Sequence, residues 1–94
     1  LIWDAVKKRN SKFNEDWLVI ITTDHGRDNK TGKNHGGQSE SEREIWITIN
    51  KKNLTPRFFN TPGIVDIMPS IATHMKIQIP EHINKQLDGK SFLK

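Results

Sequence analysis

Val19-Ile20-Ile21-Thr22-Thr23-Asp24-His25-Gly26 decides how the chain is read. A short, unbroken, β-branched run predicts a strand buried on both faces rather than a helix. In open α/β sheets, ligands gather beyond the carboxyl ends of the strands, and Asp24 and His25 stand at that end. A carboxylate oxygen and an imidazole nitrogen are both good ligands for a divalent ion. Gly26 lets the chain turn away at once. Further on, Asn34-His35-Gly36-Gly37 brings a second His on a Gly-rich turn. The remaining sequence reads as support for these three side chains.

Working outward, residues 17–23 form the predicted central strand. Before it, Ile2, Trp3 and Val6 at helical spacing predict a helix from Leu1 to about Arg9. The basic residues of its last turn suit the negative end of the helix dipole. A polar loop follows over 10–16, with Phe13 turned inward. The opening Leu1–Val6 reads as a helix entered in mid-course, which predicts that the chain is a piece of a longer protein.

After the strand, residues 27–44 are polar and Gly-containing, with no aliphatic side chain. A loop of that length inside a domain is usually functional or disordered. Its acidic run, Glu40 to Glu44, is expected to be solvated, as are Arg27, Lys30 and Lys33. Ile45, Ile47 and Ile49 alternate with Trp46 and Thr48, which predicts a second strand over 44–50. Residues 51–63 carry Pro56 and Pro62 and read as an irregular connection. Asp66 is placed to cap a helix whose first turn accommodates Pro69. That helix would carry Ile67, Ile71 and Met75 as its apolar stripe. Leu87-Asp88-Gly89-Lys90-Ser91-Phe92 reads as a turn and a tail that docks Phe92. The three Trp residues are expected in or near the core, with Trp46 the best placed to wall a site. His74 and His82 are expected to be packed or solvated. The coarse order is helix, strand, long loop, strand, helix, tail, an α/β pattern.

With 94 residues, of which 33% are hydrophobic and 28% charged, the chain supports one domain or part of one, with a thin core. Its net charge of +4 suits an anionic substrate mildly, or solubility alone. Having no cysteine, it has neither disulfides nor thiolate ligands. No apolar run is long enough to cross a bilayer. Its basic residues are scattered and lack interleaved aromatic platforms, which argues against a specific nucleic-acid partner.

Four blocks together resemble the C-terminal part of the alkaline phosphatase superfamily. They are Thr22-Thr23-Asp24-His25-Gly26, Asn34-His35-Gly36-Gly37, Val65-Asp66-Ile67-Met68-Pro69-Ser70-Ile71, and Leu87-Asp88-Gly89-Lys90-Ser91-Phe92. The chain is most similar to the type I phosphodiesterase and nucleotide pyrophosphatase branch, with sulfatases and phosphoglycerate mutases as cousins. The resemblance implies a fragment of a three-layer α/β/α sandwich, extending over residues 1–94 as the C-terminal segment of a metal-dependent catalytic domain. It implies two divalent ions, commonly zinc with manganese as the alternative, flanking a Ser or Thr nucleophile. By position, Asp24 and His25 would bind the ion that activates the nucleophile, and His35 the ion that polarises the phosphoryl oxygen. Asp66 and Pro69 would have no chemistry. An extracytoplasmic location is implied by the resemblance alone.

The sequence also departs from that pattern. Thr22 and Thr23 do not match the nucleophile's motif, and no Asp-x-x-x-His supplies the second ion. Three ligands cannot fill two tetrahedral sites. The expectation is therefore half of a metal centre, inactive alone, whose nucleophile and remaining ligands belong to the rest of the catalytic domain. The competing expectation is a non-enzymatic basic binding module.

Overall fold

A computed structural model describes residues 1–34, 36–37 and 39–94 of the chain. Helix α1 spans Ile2–Phe13 and buries Val6. It runs past Arg9 through Asn10, whose side chain accepts from the Trp17 amide at 3.1 Å, and through the exposed Ser11 and Lys12. It stops at Asn14, whose φ of 54° is the left-handed conformation Asn adopts more readily than most residues. Phe13 does not turn inward. It is 56% exposed and lies under the Arg9 guanidinium, 4.1 Å from its ring centre. Arg9 is forked onto Glu15 at 2.6 and 2.7 Å, which brings the chain round toward the sheet.

Strand β1 (Ile20–Thr22) pairs antiparallel with β2 (Ile47–Ile49), in the register Ile20–Ile49, Ile21–Thr48 and Thr22–Ile47. Both strands are shorter than expected, and side chains take over at the ends of the ladder. Asn50 accepts from the Val19 amide at 2.8 Å and donates to the Trp17 carbonyl at 2.9 Å. At the other end, the Thr22 hydroxyl donates to the Trp46 carbonyl at 2.8 Å. Ile21 is 53% exposed, so β1 is not buried on both faces within this chain. The architecture is mixed helix and a two-stranded sheet, α/β in its broad character.

The polar stretch holds a short helix, α2 (Glu40–Arg43), and the Pro-containing connection holds another, α3 (Pro56–Phe59). Pro56 sits in the first turn of α3, where its missing N–H costs nothing. A single 3₁₀ turn (Ile64–Asp66) leads into α4 (Ile67–His74), and α5 covers Glu81–Asn84.

The best-packed region lies where α3, α4 and the C-terminal tail meet. Phe92 is fully buried, as expected of a docked tail, and meets Phe58 edge to face at 5.6 Å. The tail is held by a bridge between Leu54 and Leu93 and by the Thr55 amide on the Phe92 carbonyl at 2.9 Å. Asp66 is more than a cap. Its carboxylate is fully buried and accepts from Arg57 Nε at 2.9 Å and from the amides of Gly63 and Lys90 at 2.7 and 2.8 Å. It caps the 3₁₀ turn and ties α3 and the tail to α4. Ser70, also fully buried, donates to the Asp66 carbonyl and accepts from the Phe92 amide.

This polar cluster reverses the expected face of α4. Pro69, Ser70 and Ala72 face inward, while Met68, Ile71 and Met75 are 40% or more exposed. The three Trp residues are likewise not core: Trp3, Trp17 and Trp46 are all about half exposed. Among the described residues, no helix is long and apolar enough to cross a membrane.

Candidate functional site

β1 ends at Thr22, and the next three residues carry the proposed ligands. Thr23 Oγ1 donates to the His25 carbonyl at 3.0 Å, closing the turn that carries both side chains. Thr22 Oγ1 is engaged with the Trp46 and Thr23 carbonyls. Both threonine hydroxyls therefore hold backbone.

His25 Nδ1 lies 2.8 Å from the Gly26 carbonyl oxygen. A carbonyl can only accept, so Nδ1 carries the proton. In the neutral ring, Nε2 then holds the lone pair. Fixing one ring nitrogen on a backbone carbonyl is the usual way a metal-binding imidazole is oriented. Nε2 stands 3.5 Å from Asp24 Oδ1, on a carboxylate that is 82% exposed. Two ligands bound at about 2.0–2.2 Å to a tetrahedral ion are separated by roughly 3.3–3.6 Å. The 3.5 Å between Asp24 Oδ1 and His25 Nε2 falls within that range. His35 lies outside the described residues, and with it the second ion's proposed ligand. No group of three or more His, Cys, Asp or Glu able to hold a metal occurs among the described residues.

Gly26 is needed here for space rather than for turning. Its amide donates to the Glu42 carbonyl at 2.8 Å, which draws the turn against α2. A Cβ at position 26 would overlap the Ser41 carbonyl oxygen and stand 2.8 Å from that of Glu44.

The polar stretch after Gly26 is ordered by its own acids. Asp28 accepts from the amides of Lys30, Thr31 and Asn34 and from the Thr31 hydroxyl, closing a compact turn. The amide donors of Thr31 and Asn34 hold its carboxyl down at about 2. Glu42 is not simply solvated. Its carboxylate accepts from the Gly37 amide at 2.8 Å and from the Ser39 hydroxyl at 2.6 Å. Ser39 in turn accepts from the Glu42 amide at the start of α2. Ser39-x-x-Glu42 is a capping-box spacing, the signal by which the helix is visible in the sequence.

Asp24 also lines a groove of about 400 Å³ with Arg43, Glu44, Thr61, Pro62, Gly63 and Ile64. On α4, His74 is occupied elsewhere: its Nε2 donates to the Asp16 carbonyl at 2.8 Å. Trp46 is not among the residues lining this groove.

Comparison with family models, with curated proteins and with solved structures gave no match to this chain.

Proposed function

We propose that the chain is the C-terminal part of a two-metal hydrolase of phosphate esters, similar to phosphodiesterases and nucleotide pyrophosphatases, in which Asp24 and His25 hold one ion. The α/β/α sandwich of such an enzyme belongs to the same proposal, with this chain supplying one of its margins. The observation that carries it is the pairing of Asp24 Oδ1 with His25 Nε2 at 3.5 Å, the ring being fixed through Nδ1 on Gly26. His35 is proposed for the second ion on the resemblance alone.

A bound divalent ion, zinc or manganese, would lower the pKa of an attacking hydroxyl and neutralise charge on the phosphoryl group. The chain's own residues provide the ligand geometry. Thr23 holds the turn, Gly26 lets α2 approach, and Glu42 fastens Gly37 to α2. The exposed apolar side chains of α1, β1 and α4 suit a chain that packs against the rest of a catalytic domain.

The experiment is a zinc titration of the chain followed by calorimetry. The expected result is weak binding that disappears in Asp24→Ala and in His25→Ala. A wild-type chain that takes up no zinc, or an Asp24→Ala variant that takes it up unchanged, would sink the proposal. Added zinc should give no turnover of a nitrophenyl phosphate ester, because the nucleophile belongs to the remainder of the domain.

A further inference from the structure

We infer that Arg43 is the anion-holding residue of this site, and that the groove it shares with Asp24 receives the non-bridging oxygens of a phosphate ester. The inference rests on the hydrolase proposal and adds a residue to it.

Three observations support the assignment. Arg43 lines the groove of about 400 Å³ whose wall also contains Asp24, so the arginine and the proposed ligand border one space. The position is built into the backbone: Arg43 ends α2, and the Gly26 amide is bonded to the neighbouring Glu42 carbonyl. The turn that carries Asp24 and His25 is thus tied by backbone to the residue beside Arg43. Arg43 also has no ion-pair partner among the described residues, whereas Arg9 and Arg57 are each committed to a carboxylate.

Guanidinium is the side chain best matched to phosphate, through parallel N–H donors in a planar fork. Glu44 also lines the groove and opposes an anion by its charge. With a divalent ion on Asp24, the charges of ion, Asp24, Glu44 and Arg43 sum to a positive site, so an anionic ester is favoured only when metal is present. The far wall includes Thr61, a β-branched residue at a φ of 47°. Such backbone is costly and is found disproportionately at functional sites.

The test titrates inorganic phosphate into the whole chain with and without zinc, read by amide chemical shifts and the Arg43 Nε–H signal. In the wild type, phosphate should shift Arg43 and the groove amides of Glu44 and Gly63 in the presence of zinc. Arg43→Ala should weaken phosphate binding by about tenfold, and Arg43→Lys by less, since a charge remains but the fork is lost. Zinc affinity should be the same in both variants. An Arg43→Ala chain that keeps its zinc and binds phosphate like the wild type overturns the assignment while leaving the hydrolase proposal standing. A wild-type chain that binds phosphate at Arg43 but takes up no zinc sinks the hydrolase proposal and with it the role given to Arg43. Phosphate shifts confined to other lysines or arginines overturn the assignment outright.

Discussion

At Gly26 the backbone of the turn after β1 lies so close to α2 that no side chain fits. The clashing atoms are carbonyl oxygens of Ser41 and Glu44, which cannot swing aside as a flexible side chain would. Gly26→Ala should therefore cost about 1–3 kcal/mol in urea unfolding, as overpacked sites do. It should also lower zinc uptake, because Asp24 and His25 are presented by the same turn. Thr61 gives the opposite expectation. Its left-handed φ of 47° is strained for a β-branched residue. Thr61→Gly should relieve that strain and stabilise the chain by roughly 0.5–1 kcal/mol, net of the entropy glycine adds to the unfolded state.

Elements as short as α2 have no stability of their own, since a single helical turn does not repay its nucleation. What holds α2 is its surroundings: Ser39 at its start, the Glu42 carboxylate bridging back to Gly37, and the Gly26 amide at its Glu42 carbonyl. Ser39→Ala should cost about 1 kcal/mol, the usual value of a lost cap. The loss should be local, read as faster amide hydrogen exchange at Gly37 and Glu42 with that of β1 and β2 unchanged.

The elements also indicate how much the sequence revealed. Both strands, the first helix and the docking of Phe92 were legible, because apolar alternation, helical spacing and a terminal aromatic after a turn each have a direct physical meaning. The strand ends were not, because Asn50 and Thr22 replace backbone partners with side chains. The face of α4 was misread for a related reason. Hydropathy favours burying Ile71 and Met75, but a buried carboxylate and hydroxyl outrank them once Asp66 and Ser70 have gathered their partners. Asp24 and His25 do lie on the turn that leaves β1, as their place after an apolar run indicated. Glu42 was missed, although its spacing from Ser39 was a usable signal.

Across the whole molecule, the radius of gyration is 16.0 Å and the extents are 48 × 40 × 20 Å. A compact domain of this length would have a radius of about 12 Å. The chain is an open slab, with many large apolar side chains exposed. Light scattering should accordingly show concentration-dependent association, and a monomer at all concentrations would count against an unmet apolar face.

Within the slab, Asp66 is the tie that joins α3, α4 and the tail. Burial pushes its carboxyl up, but Arg57 and the amides of Gly63 and Lys90 together outweigh burial and hold it below the usual carboxylate range. A carboxyl lowered on folding stabilises the folded state above its unfolded pKa and ceases to as pH falls through the folded one. This contribution should therefore fade from about pH 4 downward. Asp66→Asn should lose it at neutral pH, at a cost of about 3 kcal/mol, the low end for a broken buried pair because Arg57 is partly exposed. Glu15 and Asp28, each held at about 2, give slopes of the same sign. The variant should thus show a shallower acid dependence in urea unfolding, not a flat one.

The ligand pair is tested most directly by an anomalous difference map from a crystal soaked with zinc. The expected result is a peak at about 2.0–2.2 Å from both Asp24 Oδ1 and His25 Nε2. A map whose zinc lies only elsewhere, with that position empty, would contradict it.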